Sequence, residues 1–205
     1  MEKINNKIQL YIKLPLFLVI LIFFVFISNN QESINLLNII YQVPKAIAVY
    51  AIGGFIFTRW LWKCDFWKGW LIKIPNIQGT WKGRLESTWI NTETKLGIDA
   101  IPMFLVIKQN FNKIECSVLT KESSSYSLSA DIQHIHGNLQ LSYAYTNIPK
   151  TTFRDKSKIH NGAALLKIID NPKRKLSGAY WTDIKTGGDI HVEFFSKELK
   201  QEFIP

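Results

Sequence analysis

The chain has little of what most metal sites and enzyme active sites require. Its two cysteines and four histidines are scattered through 205 residues, without the spacing of a zinc site or a disulfide framework. The sequence also lacks a P-loop, a Rossmann glycine fingerprint and the Gly-x-Ser-x-Gly motif of hydrolases. We therefore expect no metal, no cofactor and no enzymatic activity.

Charged residues are almost absent from two long segments near the N-terminus. The run "LPLFLVILIFFVFI" ends at Ile27, and "VPKAIAVYAIGGFIFTRWLW" covers 43–62. Each approaches or reaches the ~20 apolar residues of a bilayer-crossing helix, which predicts two transmembrane helices at about 8–27 and 43–62. No small-residue cleavage site follows the first segment, so a cleaved signal peptide is the weaker interpretation.

Basic residues flank this predicted helical pair on one side only. They precede the first helix or end the second, at Lys3, Lys7, Lys13, Arg59, Lys63, Lys68 and Lys73. The positive-inside rule then places both termini in the cytoplasm, with a short outside loop around 28–35. Tryptophans at 60, 62, 67 and 70 are predicted to anchor the chain at the membrane surface. Residues 1–74 thus form a transmembrane hairpin with its linker, and 75–205 a cytosolic domain.

Helical periodicity is scarce after Asn76, where short alternating runs separated by polar turns take over. We predict eight strands, at about 77–90, 101–109, 113–121, 125–134, 138–146, 162–170, 175–183 and 189–196. Eight sequential strands joined by hairpins predict an antiparallel up-and-down β-barrel of the lipocalin-like kind, because closure removes exposed sheet edges. The fold class is therefore two N-terminal transmembrane α-helices followed by an all-β barrel domain.

The alternation also predicts the barrel interior. The inward residues at one end are apolar, whereas those at the other end combine aromatic rings with hydroxyl groups. In a meander this second end also carries the long connections, which include 91–100 and 147–161. Long loops on a rigid scaffold commonly carry binding sites, so the end facing away from the membrane is the predicted ligand site.

Ten residues at that end are predicted to contact a ligand. Trp89, Tyr143, Tyr145 and Tyr180 offer rings on which a base can stack, Arg154, Lys156, Lys158 and Lys185 offer cations for phosphates, and Thr182 and Thr186 offer hydroxyls. The backbone amides of Gly187 and Gly188 are further anion donors. Singly, such residues are ordinary rim, loop and turn residues; together they indicate a nucleotide ligand.

The order of these parts is similar to a known family. The features that carry the similarity are two N-terminal membrane helices, a Trp-rich exit, the first strand "GTWKGRL" and the late hairpin "LSGAYWTDIKTGGDIHVEF". In this order they resemble the two-transmembrane, β-barrel effectors associated with bacterial CD-NTase enzymes in cyclic-oligonucleotide-based antiphage signalling systems (CBASS). The resemblance covers nearly the whole chain, and "G-x-Y-W-T" from Gly178 is its most specific motif.

The resemblance implies a mechanism. A CD-NTase makes a cyclic di- or oligonucleotide on infection, the barrel binds it, the protein self-associates, and the gathered helices disrupt the bacterial inner membrane and kill the cell. The main alternative is a membrane-anchored lipocalin-like carrier of an apolar small molecule. A hydrolase of nucleotides and an inert membrane scaffold are further alternatives that the sequence leaves open.

Overall fold

The computed structural model describes residues 17–27, 36–64, 66, 74–90, 95–155, 157–170 and 173–204. The chain divides into two compact units, Met1–Trp67 and Lys68–Pro205. The first unit is helical, and the second is built mainly from strands.

The helical unit contains α1 (Phe17–Ile27) and α2 (Leu36–Arg59). Within α2 the segment Ile39–Arg59 is long and apolar enough to cross a membrane, by length and composition. Helix α2 begins at Leu36 rather than at about 43, because "LLNIIYQ" is itself apolar and Pro44 is accommodated inside the helix. The part of the first predicted helix before Phe17 and the expected outer loop at 28–35 lie outside the described residues, as do Trp67 and Trp70.

The second unit is built from eight strands, as predicted. Their bounds are β1 (Gly79–Ser87), β2 (Ile101–Gln109), β3 (Ile114–Leu119), β4 (Ser123–Ile135), β5 (Asn138–Pro149), β6 (His160–Ile169), β7 (Lys175–Thr182) and β8 (Gly187–Ser196). Each strand pairs antiparallel with the next, and β8 pairs with β1. The prediction of a closed eight-stranded up-and-down barrel is therefore confirmed.

The two ends of the barrel differ in their connections. Residues 74–78 lead into β1 at the end that we call the near end, which also carries the turns at 110–113, 136–137 and 170–174. The opposite end, called the far end, carries the connections 88–100, 120–122, 150–159 and 183–186. The two longest connections, 88–100 and 150–159, thus share the far end as predicted, whereas 120–122 and 183–186 are no longer than the turns of the near end.

Packed side chains close the near end of the barrel. Trp81 is fully buried, and its Nε1 donates a hydrogen bond of 3.0 Å to the Ile77 carbonyl. Gln109 accepts from the Ile77 amide at 2.8 Å and donates to the Pro75 carbonyl at 3.1 Å. The Arg174 guanidinium lies 5.3 Å from the centre of the Trp81 ring. These contacts fill the near end with protein atoms.

The C-terminal segment after β8 covers part of the outside of the barrel. Phe104, Val106 and Leu119 form a second buried cluster, against which Leu199 and Phe203 pack. The Thr80 hydroxyl ties the segment down, since it donates to the Glu198 carbonyl at 2.6 Å and accepts from the Lys200 amide at 3.1 Å. This covering segment was not predicted from the sequence.

Candidate functional site

Strands β1, β5 and β7 direct a group of polar and aromatic side chains into the far half of the barrel. Tyr143, Tyr145 and Tyr180 are all buried members of the main core, and Ser87 lies opposite Gly188 at the end of β1. The predicted inward alternation of β5 and β7 is confirmed, because Leu141, Tyr143 and Tyr145 are buried while Trp181, one residue out of phase with Tyr180, is 53% exposed. The far half of the interior is therefore lined by phenol rings.

Two glycines provide the space that these rings occupy. A Cβ at Gly162 would lie 2.6 Å from Cζ and from the hydroxyl oxygen of Tyr145. A Cβ at Gly188 would lie 2.9 Å from Cε1 of Tyr180 and would collide with the Glu86 carbonyl oxygen. Because no larger residue fits, the glycines fix where the two rings lie.

The phenol hydroxyls of this group differ in their partners. The Tyr143 hydroxyl is buried and has no hydrogen-bond partner within the described part of the chain, whereas the Ser87 side chain lies close enough to Tyr180 to oppose the effect of burial on its pKa. Burial raises the pKa of each of the three tyrosines, and in Tyr143 the neighbouring Cys116 raises the pKa further. The three side chains consequently remain protonated near neutral pH and can donate hydrogen bonds.

A further polar pair in the far half was missed by the sequence analysis. The Ser125 hydroxyl donates to Oδ1 of Asn147 at 2.8 Å, and both side chains are buried. Asn147 has the same strand parity as Tyr143 and Tyr145, and β5 continues to Pro149 rather than ending near 146. If the predicted fifth strand had been extended to Pro149, its alternation would have placed Asn147 on the inward face.

The turn between β7 and β8 holds two of the predicted ligand residues in its own hydrogen bonds. The hydroxyl oxygens of Thr182 and Thr186 are 2.7 Å apart, and the Thr182 amide donates to the Thr186 carbonyl at 2.9 Å. Asp183 fastens the turn to β6, because its carboxylate accepts from the Asn161 amide at 3.0 Å. Lys185 has a left-handed backbone (φ 61°) and an exposed side chain.

Three of the expected rim features lie elsewhere. Gly187 and Gly188 belong to β8, where they pair with Trp181 and Tyr180 instead of forming an open turn of free amides. Trp89 follows the end of β1 at Ser87 and is 42% exposed, so it is not an interior residue. β1 ends at Ser87, and beyond it the Thr88 amide makes one more hydrogen bond to β8, at 2.8 Å from the Gly187 carbonyl.

The cations predicted for the far end are exposed. Arg154 and Lys158 lie in the β5–β6 connection, Lys185 lies in the β7–β8 turn, and no ion pair joins any of them to a described carboxylate. Lys156 lies outside the described residues. These free cations flank the end of the barrel that contains the phenol rings.

An additional cleft opens where β3 and β4 separate. The two strands pair only between 117–119 and 124–126, although β3 pairs with β2 along its whole length. Leu128 forms a bulge in β4, and the Cys116 amide donates to the Ser127 hydroxyl at 2.9 Å in place of a ladder bond. The resulting cleft has a volume of about 390 Å³ and is lined by residues that include Cys116, Tyr126 and Ser129. This cleft was not predicted from the sequence.

The arrangement offers several kinds of contact to a polar, anionic ligand. Phenol rings, hydroxyls, a buried amide and free cations provide stacking faces, hydrogen bonds and positive charge. No cluster of three or more His, Cys, Asp or Glu residues able to hold a metal ion is found in the described part of the chain. The rings and hydroxyls lie inside the closed barrel, while the cations lie on the connections at its far end.

Comparison with known proteins gives a family match over the barrel. Residues 72–193 match the family model described as "Cap15, cyclic dinucleotide receptor domain". The match begins just before β1 and ends within β8, so it covers the phenol rings, the rim connections and the β3–β4 cleft.

Two curated relatives extend the similarity to the helical unit. A protein of Staphylococcus schleiferi named "CD-NTase-associated protein 15" is 30% identical over 191 residues, which cover 92% of this chain and 98% of the relative. A protein of Escherichia albertii with the same name is 24% identical over 186 residues, covering 89% of this chain and 88% of the relative. The similarity therefore extends over both units.

Proposed function

Since this chain belongs to the family of Cap15 cyclic dinucleotide receptors, we propose that the far half of its barrel binds a cyclic dinucleotide made by a bacterial CD-NTase. The observation that carries the proposal is the coincidence of this family match with a barrel end that combines buried phenol rings and free cations. The protein then acts as a non-enzymatic CBASS effector in antiphage defence.

Each part of the proposed site corresponds to a part of the ligand. Tyr145 and Tyr180 provide ring faces and hydroxyls for the bases and riboses, and Arg154, Lys158 and Lys185 attract the two phosphates. The cations lie on connections and the rings lie on strands. Recognition of the bases thus rests on the rigid part of the barrel, whereas the phosphates are held by side chains that can adapt.

The helical unit supplies the effector step of the proposal. Helix α2 is long and apolar enough to cross a membrane, and confinement to a bilayer raises the effective concentration of neighbouring chains. A modest gain in self-affinity on ligand binding then suffices to assemble many chains in the bacterial inner membrane. The assembled helices disrupt the membrane, and the infected cell dies before the phage is released.

The binding step is tested by calorimetry on the full-length protein in detergent, with a panel of cyclic dinucleotides built from adenine, guanine, cytosine and uracil. We expect saturable binding of at least one of them, and about tenfold or greater weakening when Arg154, Lys158 and Lys185 are all replaced by Ala. The matched control replaces Lys108, Lys173 and Lys197 by Ala. These residues lie toward the near end, and their replacement removes the same total charge. Absence of binding by folded protein across the whole panel would overturn the proposal.

A lipocalin-like carrier of an apolar molecule is less well supported. Such a carrier needs an open apolar cavity, but Ile77, Trp81, Leu105 and Ile107 fill the near half and are fully buried. The far half contains instead the hydroxyls of Ser125 and three tyrosines. Copurification of a lipid with the barrel, without binding of any cyclic dinucleotide, is the result that would favour the carrier.

A further inference from the structure

Two hydrogen-bonded pairs of the same chemistry meet at strand β5, one on each face of the barrel wall. On the inward face, the Ser125 hydroxyl donates to Oδ1 of Asn147 at 2.8 Å, and the two residues are only 7% and 8% exposed. On the outward face, the Thr146 hydroxyl donates to Oδ1 of Asn161 at 2.8 Å, and Asn161 is exposed. Replacing both partners of a buried hydrogen bond by apolar groups is often neutral or stabilising. Stability alone therefore does not account for the inner pair.

The Asn147 side chain lies between the two parts of the proposed site. It follows Tyr145 by two residues on the inward face of β5, and the strand ends two residues later at Pro149. The connection that comes next carries Arg154 and Lys158. A ligand that contacts the phenol rings with its bases and these cations with its phosphates therefore lies beside Asn147.

The Asn147 amide has a donor that the protein does not use. Its Oδ1 accepts from Ser125, whereas its Nδ2 makes no hydrogen bond within the described part of the chain and is not sealed from solvent. Because the Ser125 hydroxyl fixes the orientation of the amide, the side chain offers N–H groups to a ligand. A ligand group that reaches this position must therefore bring an acceptor.

The four bases differ in what they offer to such a donor. Guanine presents the acceptors O6 and N7, and uracil presents O4, as thymine does in DNA. Adenine and cytosine carry an exocyclic amino group at the corresponding position. An amino group facing Nδ2 of Asn147 would set two donors against each other, and a site built to hydrogen-bond one group discriminates strongly against an analogue that lacks it.

We propose that Asn147 selects the base of the bound cyclic dinucleotide, because its Nδ2 donates to the carbonyl oxygen of a guanine or a uracil. Ser125 is the positioning residue that holds the amide in this orientation. The inference rests on the proposed function and adds to it the class of base. The preferred ligand thus contains at least one guanine or uracil.

The base preference is measured by calorimetry on the full-length protein in detergent, with the symmetric cyclic dinucleotides of adenosine, cytidine, guanosine and uridine. The wild type should bind the guanosine or the uridine ligand about tenfold more tightly than either the adenosine or the cytidine ligand. A preference for adenosine or cytidine, or equal binding of all four, would overturn the assignment of Asn147.

The decisive variant replaces both members of the inner pair, as Ser125→Ala with Asn147→Leu. It should bind the preferred ligand at least tenfold more weakly. Its ligand-free melting temperature should equal or exceed that of the wild type, because neither partner is left with an unsatisfied buried group. The matched control removes the outer pair, as Thr146→Ala with Asn161→Leu, and should leave the affinity unchanged.

The single variant Ser125→Ala tests the positioning role. Without the hydroxyl the Asn147 amide can rotate and offer Oδ1 to an amino group as readily as Nδ2 to a carbonyl. The ratio of affinities for the preferred ligand and for the adenosine ligand should therefore fall at least threefold. A pair with a purely structural role would change the melting temperature and leave this ratio as it is.

The outcomes separate the two proposals. If the wild type binds a member of the panel and the double variant of the inner pair binds it with unchanged affinity, Asn147 does not select the base and the proposed function stands. If the double variant melts below the wild type, the ratio measured with Ser125→Ala decides, and an unchanged ratio overturns the inference. If the wild type binds no member of the panel, the proposed function itself fails.

Discussion

At the scale of single residues, the position of the Tyr145 ring depends on the absence of a side chain at Gly162. A Cβ there would lie 2.6 Å from both Tyr145 and the Trp181 carbonyl, so either the ring or strand β7 must shift. We expect Gly162→Ala to destabilise the barrel by about 1–3 kcal/mol and to weaken ligand binding, measured by thermal melting and calorimetry. Gly97→Ala, where no atom lies within 4 Å of the added Cβ, is the control. Equal melting temperatures for the two variants would contradict this role.

A second effect at the residue scale concerns pH. Burial raises the pKa of the Cys116 thiol from 9.0 to about 12, so above pH 9 the unfolded chain loses this proton while the folded chain keeps it. The thiol therefore contributes stability that is complete below pH 9 and is lost as the pH rises toward 12, at up to ~1.4 kcal/mol per pH unit. Cys116→Ala should flatten the alkaline fall in urea-unfolding free energy, and the exposed Cys64→Ala should not. A Cys116→Ala profile parallel to that of the wild type would contradict the assignment.

At the scale of elements, the seam between β3 and β4 is the shortest ladder in the barrel, with three paired positions. The Ser127 hydroxyl extends this seam by accepting from the Cys116 amide at 2.9 Å. Ser127→Ala leaves that amide without its acceptor. We therefore expect the free energy of unfolding to fall by about 1–2 kcal/mol and hydrogen exchange at the Cys116 amide to become faster. Ser129→Ala, one residue beyond the bulge, should leave this exchange rate unchanged. Unchanged exchange in Ser127→Ala would show that the hydroxyl does not hold the seam.

The C-terminal segment acts as a further element of the barrel. The Phe203 ring lies 5.0 Å from that of Phe104, and both belong to or pack against the second cluster. Phe203→Ala should lower the free energy of unfolding by about 2 kcal/mol. This is less than the loss for a fully buried ring, because Phe203 is only partly buried. Its neighbour Ile204 is 67% exposed, so Ile204→Ala should cost little. Urea unfolding of both variants measures the difference, and equal midpoints would exclude a stabilising role for the segment.

The elements also show what the sequence could predict. Strict alternation identified β5, from Leu139 to Tyr145, because one inward face and one outward face repeat every second residue. In β4 the bulge at Leu128 changes the inward parity, from Ser125 and Ser127 to Ile132. The alternation in "SSSYSLSADIQHI" does not reveal this extra residue, so neither the shift nor the cleft that it opens could be predicted.

The covering segment escaped prediction for a different reason. β2 is apolar on both faces, "IPMFLVIKQ", and such a strand is equally consistent with a fully buried sheet. Nothing in the run itself indicates that Phe104 and Val106 are covered by residues nearly a hundred positions later. Alternation alone predicted that Tyr143, Tyr145 and Tyr180 point inward, as they do. Trp89 was wrongly predicted to point inward, because β1 ends at Ser87, two residues before it.

At the scale of the whole molecule, the proposed function assigns ligand binding to the barrel and self-association to the helices. A substitution in a helix should therefore affect association without affecting ligand affinity. Gly53 and Gly54 lie in α2, and a Cβ at either would meet no atom within 4 Å. Small residues allow close approach of helices in a bilayer. We therefore expect Gly53→Leu to reduce ligand-induced association by at least tenfold while leaving cyclic dinucleotide affinity unchanged.

The measurement uses full-length protein in dye-filled vesicles of bacterial lipid, with crosslinking as a second readout. The wild type should release dye and form crosslinked species only when its preferred cyclic dinucleotide is added, and Gly53→Leu should do neither. Val49→Leu, one helical turn earlier and already exposed in the single chain, controls for the added bulk. If Gly53→Leu releases dye as the wild type does, the helices do not meet at this face. A ligand can drive assembly only if it binds the assembled state more tightly than the separate chains. If the wild type binds ligand without dye release or crosslinking, binding is therefore not coupled to assembly and membrane disruption.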